Sequence, residues 1–129
     1  MNELPAIWPT LSYVDAPAAL RFLVDTLGFV EHSVVPGEQG VIHHAELLWP
    51  EGGGVMLSTA KSDEEVEFGK PGGASVYLVT KDPDTVYERA MAGGAPLLRE
   101  MREEDYGSRG FSVRDPEGNA WSFGTYRGA

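Results

Sequence analysis

The stretch VIHHAELL, residues 41–48, places two histidines side by side with Glu46 close behind. The run reads as a β-strand, in which neighbouring side chains leave on opposite faces and every second one shares a face. His43 and His44 therefore cannot grip one ion together, whereas His44 and Glu46 stand on one face. An imidazole beside a carboxylate can hold a metal, although two donors alone make a weak site. It can also exchange a hydrogen bond with a ligand near neutral pH, or act as a general base. Contact with a ligand is the expectation here. His32 begins an edge strand and is expected to be solvent-exposed.

A second stretch with chemical potential is REEDYGSRG, residues 102–110, a polar loop leading into a strand. Tyr106 and Arg109 could cover and orient a bound molecule, since the arginine fork suits carboxylate or phosphate. The competing reading is a solvated loop whose arginine balances Glu103, Glu104 and Asp105. Trp8, Trp49, Tyr77 and Trp121 lie on expected strands. Trp121 and Phe123 alternate with Ala120, Ser122 and Gly124, so the large pair should pack under a helix and the small set should face a cleft. No Gly-x-Ser-x-Gly elbow is present. EGGGV and KPGGAS precede strands, lack the phosphate-loop lysine and do not fit Gly-x-Gly-x-x-Gly, so phosphate cradling is not expected.

The elements that must carry these residues follow from turn and cap signals. Ile7–Tyr13 is a short strand that Pro9 marks as an edge or exchanged strand. Asp15 with Pro17 starts a helix carrying Leu20, Leu23, Val24 and Leu27, stopped by Gly28. Strands follow at 29–35, 41–48 and 55–59, the last two joined by Pro50-Glu51-Gly52. Residues 61–73 are charged and rich in Gly and Pro, the composition of a linker. The order then restarts: strand 75–80, a helix opened by Asp82-Pro83 with Val86, Tyr87, Ala90 and Met91 on one face, and strands 96–101, 109–114 and 120–126. The last two are joined by Asp115-Pro116-Glu117-Gly118. The two Pro-Glu-Gly turns lie 66 residues apart and the two capping aspartates 67 apart. Agreement of two independent markers indicates an internal duplication. The chain is thus expected to be α+β, with βαβββ modules at 1–62 and 74–129, a linker at 63–73, and one shared core. Two curled half-sheets would make a cleft for a small ligand.

The 129 residues suit one structural domain. Twenty acidic against ten basic residues give a formal charge of −10. That disfavours nucleic acid and anionic membranes as partners and would draw in a cationic small molecule. There is no cysteine, hence no disulfide and no thiolate chemistry, which fits the cytoplasm. The opening MNELPAIWPTLSYVD lacks the order of a signal peptide, and no apolar run reaches the ~20 residues of a membrane span.

Leu27-Gly28-Phe29 closing the first helix, and Arg114-Asp115-Pro116-Glu117-Gly118-Asn119 followed by Trp121 and Phe123, resemble the vicinal oxygen chelate superfamily over about residues 7–126. That superfamily includes glyoxalase I, extradiol dioxygenases, fosfomycin-resistance enzymes and bleomycin-binding resistance proteins. The resemblance implies two βαβββ modules forming a curled mixed sheet around a cleft, and a homodimer. Pro9 is similar in place to the proline of bleomycin-binding proteins, where the first strand is exchanged between subunits. Enzymes of the superfamily hold a divalent metal with His and Glu from the first and last strands of each module. Carried over by the same markers, those positions are Trp8, Met56, Ser75 and Ser122. None is an imidazole or carboxylate, so no metal and no other cofactor is expected. Trp8 would project into the cleft and stack on a flat or cationic ligand.

The first reading is therefore a metal-independent binder that sequesters a cationic, partly aromatic antibiotic. Its ligand-contacting residues would be Trp8, His44, Glu46, Met56, Ser75, Tyr77, Tyr106, Arg109 and Ser122, with Trp49 as a further stacking candidate. The second is a lyase, isomerase or dioxygenase of the same superfamily with a metal displaced to His44 and Glu46. The third is a metal-free enzyme using His44 as base.

Overall fold

The protein is described by a computed structural model covering residues 4–61 and 70–128. Most of the expected linker lies outside the described residues. In the first half, β1 (Thr10–Tyr13) leads into α1 (Ala16–Arg21), which runs on as a π-helix over Phe22–Leu27. Three strands follow: β2 (Val30–Pro36), β3 (Ile42–Leu48) and β4 (Gly54–Thr59). In the second half, β5 (Ser75–Val79) leads into α2 (Pro83–Ala92), then β6 (Leu97–Glu103), β7 (Arg109–Arg114) and β8 (Ala120–Gly124).

Each half forms its own four-stranded mixed sheet, in the order β1-β4-β3-β2 and β5-β8-β7-β6. The first strand of each half runs parallel to the last, and the other pairs are antiparallel. The α+β duplication expected from the sequence is present. The two sheets do not close on one another. β1 begins at Thr10, later than expected, because Pro9 has no N–H to give to a ladder. The Pro9 carbonyl still accepts from Met56 N–H at 2.9 Å.

Both helices start as their sequences dictate. The Asp15 side chain accepts from Ala18 N–H at 3.1 Å and the Asp82 side chain from Thr85 N–H at 3.2 Å, each satisfying an otherwise unpaired donor of the first turn. Gly28, at φ 97°, supplies the left-handed stop. One face of every central strand is buried: Ala45 and Leu47 on β3, Val55 and Leu57 on β4, Phe111 and Val113 on β7, Trp121 and Phe123 on β8. These residues join one core that spans both halves. Phe29 meets Trp121 at 5.7 Å between centroids, and Trp49 meets Phe123 at 5.6 Å.

The duplicated turns tie the halves together. In the second turn, Glu117 accepts from Val14 N–H at 2.7 Å and Asp15 N–H at 2.8 Å, at the entrance to α1. In the first, Glu51 accepts from Lys81 N–H at 2.8 Å, at the entrance to α2. Each copy of the hairpin thus secures the helix start of the other half. Buried Asp115 completes the second clamp: it accepts from the Tyr13 hydroxyl at 2.6 Å, Trp121 Nε1 at 3.0 Å and Asn119 Nδ2 at 2.9 Å, and from the Glu117 and Asn119 backbone. Burial, and then the bond to Asp115, pushes the Tyr13 phenol well above its ordinary pKa.

Candidate functional site

Strand periodicity leaves one face of each sheet uncovered by its helix. On the first sheet the register places Thr10, Met56 and Glu46 in one row across β1, β4 and β3. Ser12, Ser58 and His44 lie on the same face. The alternate residues Leu11, Leu57 and Ala45 are buried in the core. A hollow of about 210 Å³ opens here, lined by Thr10, Ser12, His44, Met56 and Ser58 among others.

The polar centre of this face is the pair expected from the sequence. His44 Nε2 and Glu46 Oε2 are 2.8 Å apart, a hydrogen bond that fixes the imidazole against the strand. His32 Nε2 approaches the other carboxylate oxygen at 4.0 Å. The register of β2 shifts between Glu31 and Ser33, and this irregularity places His32 beside Glu46. Trp8 lies just before β1, half-buried, over Gly54. A Cβ on Gly54 would meet Trp8 Cζ3 at 2.8 Å, so glycine there lets the indole lie close to the strand.

On the second sheet, Tyr77 and Ser122 are register partners, as are Ser122 and Ser112. The two serine hydroxyls are 2.7 Å apart. Ser75 is exposed at the start of β5. The Tyr77 hydroxyl donates to the Tyr126 carbonyl at 2.8 Å, and Tyr106 meets Tyr126 edge to face at 5.3 Å. The sequence did not single out Tyr126, which closes the expected strand 120–126; the strand stops at Gly124 and leaves Tyr126 just beyond it.

Arg109 is engaged elsewhere. Its guanidinium forks onto Asp84 in the first turn of α2, with Nε–Oδ2 at 3.1 Å and Nη2–Oδ1 at 2.7 Å. Glu103 stands 3.9 Å away. The bond raises the Arg109 pKa and holds the Asp84 carboxyl below the usual carboxylate range. The sequence named Glu103, Glu104 and Asp105 as balancing charges, but Asp84 is the bidentate partner. Trp49 is buried and its indole N–H donates to the Val79 carbonyl at 2.9 Å, so it cements the halves.

The structure thus gathers His44, Glu46, Met56 and Trp8 on the first sheet, and Ser75, Tyr77 and Ser122 on the second, with Tyr106 near Tyr126. A separate cleft of about 330 Å³ runs between the halves, lined by Ile7, Pro9, Trp49, Tyr77 and Arg127 among others. Among the described residues no three His, Cys, Asp or Glu side chains are grouped to hold a metal ion. Trp8, Met56, Ser75 and Ser122, the positions that the resemblance implies for metal ligands, present an indole, a thioether and two neutral hydroxyls, a donor set that does not fit a divalent ion. Among the described residues no helix is long and apolar enough to cross a membrane.

Comparison with known proteins gives a consistent picture. The family model described as Glyoxalase/Bleomycin resistance protein/Dioxygenase superfamily matches residues 8–123. An uncharacterized protein of Mycobacterium bovis is 32% identical over 131 aligned residues, covering 96% of this chain and 85% of its own length. Among solved structures, TioX from Micromonospora sp. ML1 superposes with a TM-score of 0.76 at 29% identity, covering 93% of this chain and 97% of that one. TnmS3, an antibiotic binding protein from Streptomyces sp. CB03234, superposes with a TM-score of 0.72 at 20% identity, covering 95% and 96%. At that identity the second likeness is one of fold.

Proposed function

Because the chain belongs to the Glyoxalase/Bleomycin resistance protein/Dioxygenase superfamily, we propose that it is a binding member of that group. It sequesters a small, cationic, partly aromatic molecule of the antibiotic type without a metal and without making or breaking a bond. The observation that carries this reading is the open face of the first sheet. There the Glu46 carboxylate, held by His44 at 2.8 Å, stands in one row with Met56, and the Trp8 indole flanks them over Gly54. These groups suit an ammonium or guanidinium attached to an apolar body. The net charge of −10 favours approach of such a ligand. TnmS3, which shares the fold, is an antibiotic binding protein, and this is in keeping with a small-molecule ligand of the antibiotic type. Each sheet offers only half of an enclosure, and a cytoplasmic homodimer in which two copies bring their half-faces together is part of the proposal.

The test is native mass spectrometry, followed by calorimetric titration with a cationic glycopeptide antibiotic of the bleomycin type. The expected result is a dimer that takes up no Zn²⁺, Ni²⁺, Mn²⁺ or Fe²⁺ and binds the antibiotic. Glu46→Gln should weaken binding about tenfold, the effect of losing one charge-assisted contact. One tight metal per subunit, with turnover lost in both His44→Ala and Glu46→Ala, would overturn the reading in favour of a displaced-metal lyase, isomerase or dioxygenase.

A further inference from the structure

Three tyrosines from separate parts of the chain are linked at one end of the second sheet. Tyr77 stands on β5, Tyr106 in the loop before β7, and Tyr126 just after β8. They hold one another through the Tyr77 hydroxyl bond to the Tyr126 carbonyl and the edge-to-face contact of Tyr106 with Tyr126. The segment that carries Tyr126 is itself fixed. Thr125 N–H donates to the Arg109 carbonyl at 3.1 Å, Arg109 N–H donates to Thr125 Oγ1 at 3.0 Å, and Tyr126 N–H donates to Ser108 Oγ at 3.3 Å.

The three tyrosines nevertheless remain 48%, 66% and 43% exposed. Fixing apolar ring surface in water loses side-chain entropy and leaves solvation free energy unrelieved within the chain. The duplication supplies an internal control. Counting back 67, 66 and 66 residues, the three tyrosines correspond to Thr10, Gly40 and Ala60. The first half builds the same sheet with no ring at any of the three, so the fold does not require them.

We infer that Tyr77, Tyr106 and Tyr126 form a stacking wall that reads a planar cationic ring of the ligand; this rests on the sequestration reading above. Tyrosine faces carry the negative lobe of the ring quadrupole and attract cations laid against them. The surrounding charges agree in sign. With Arg109 paired to Asp84 and Arg102 to Glu104, Glu103 and Asp105 stand against Arg127 in these segments. Tyr126 is a specificity-determining residue that no motif marks.

The probe is proflavine, a planar cation, titrated by calorimetry into the full chain, with tetraethylammonium as a cation that cannot stack. Proflavine should bind and tetraethylammonium should bind at least about tenfold more weakly. Tyr106→Ala with Tyr126→Ala should weaken proflavine about tenfold or more. Tyr106→Phe with Tyr126→Phe should stay within about twofold, because the ring and not the hydroxyl stacks. Circular dichroism checks that each variant is folded, and the phenylalanine pair serves as the test if the alanine pair is not, since equal binding of both cations would then overturn the wall. Proflavine affinity unchanged in the alanine pair but reduced in Glu46→Gln overturns this inference and leaves sequestration standing. No binding of proflavine to the unsubstituted chain overturns the assigned ring class, while binding of the glycopeptide antibiotic would still uphold sequestration.

Discussion

Replacing Asp115 by alanine should cost about 4 kcal/mol. The carboxylate is buried, and its Oδ2 accepts from Tyr13, Trp121 and Asn119 while Oδ1 accepts from the Glu117 and Asn119 backbone. Tyr13 and Trp121 are fully buried and Asn119 is 2% exposed, so three side-chain donors would lose their acceptor where water enters poorly. A buried donor left unsatisfied costs about 1–3 kcal/mol, and partial entry of water into the vacated space keeps the total near the lower end of the summed range. Against a domain stability of about 5–15 kcal/mol, that is a large fraction, and at about 3–5 °C per kcal/mol it lowers Tm by roughly 10–20 °C. Asparagine is no rescue. One side of its amide can still accept from the turn backbone, but the NH₂ then faces three donors, so Asp115→Asn should lose nearly as much as alanine. Tyr13→Phe removes one donor and should cost about 1.5–3 kcal/mol, the range for a hydrogen bond to a charged group. Urea unfolding followed by tryptophan fluorescence measures all three. A loss under 1 kcal/mol for Asp115→Ala would refute the view that this carboxylate organises the contact between the halves.

The Tyr13 phenol is held above its ordinary pKa in the native state by burial and by Asp115, so above about pH 10 the unfolded chain releases a proton that the native chain keeps. This stability contribution is intact below pH 10 and falls by about 1.4 kcal/mol per unit above it. Urea midpoints between pH 8 and 11 should show a slope that is shallower by one proton in Tyr13→Phe, and equal slopes would sink the argument. Gly54→Ala would set a Cβ 2.5 Å from the Leu47 carbonyl oxygen and 2.8 Å from Trp8 Cζ3; it should destabilise by about 1–3 kcal/mol and shift tryptophan emission. Emission and stability both unchanged would show that Trp8 does not rest there. Glu117→Gln should cost more than Glu51→Gln, because Glu117 holds two backbone N–H groups with two oxygens and Glu51 holds one. Matched thermal melts of the two variants read the difference directly.

What the sequence revealed depended on how local the signal was. Caps and turns are set by a few adjacent residues, so Asp15-Ala16-Pro17, Asp82-Pro83 and the two Pro-Glu-Gly turns placed both helices and the hairpins, and their common spacing exposed the duplication. Strand alternation correctly put Trp121 and Phe123 under the helix side and Ser122 on the open face. Pairings between distant segments left no such mark. Arg109 and Asp84 are 25 residues apart and Glu117 and Asp15 are 102 apart, and nothing in the composition of either member selects its partner. The irregularity at His32 was equally hidden, because an extra residue in one strand becomes visible only when the strand it pairs with is known. The π-helical continuation over Phe22–Leu27 also carries no sequence signature here.

The duplication separates what the fold demands from what it merely permits. Positions facing the core stay apolar in both halves: Leu57 and Phe123, Leu47 and Val113, Ala45 and Phe111, Val55 and Trp121 sit at equivalent register positions, and all are buried. Each sheet must cover its own helix, and burying a polar group there would cost far more than a change of apolar side chain. On the opposite faces the same strands have diverged completely. Glu46, Met56 and Trp8 in the first half correspond to Ser112, Ser122 and Ser75 in the second. No packing requirement can account for a carboxylate in one copy and a hydroxyl in the other, because both sheets form with the same strand order and the same pairing. Glu46 carries a carboxylate paired with His44 at 2.8 Å where buried Ser112 carries a hydroxyl paired with Ser122 at 2.7 Å. The two copies therefore agree where they pack and differ where they are open, and it is on these divergent faces, not in the core, that the proposed ligand contacts of both halves lie.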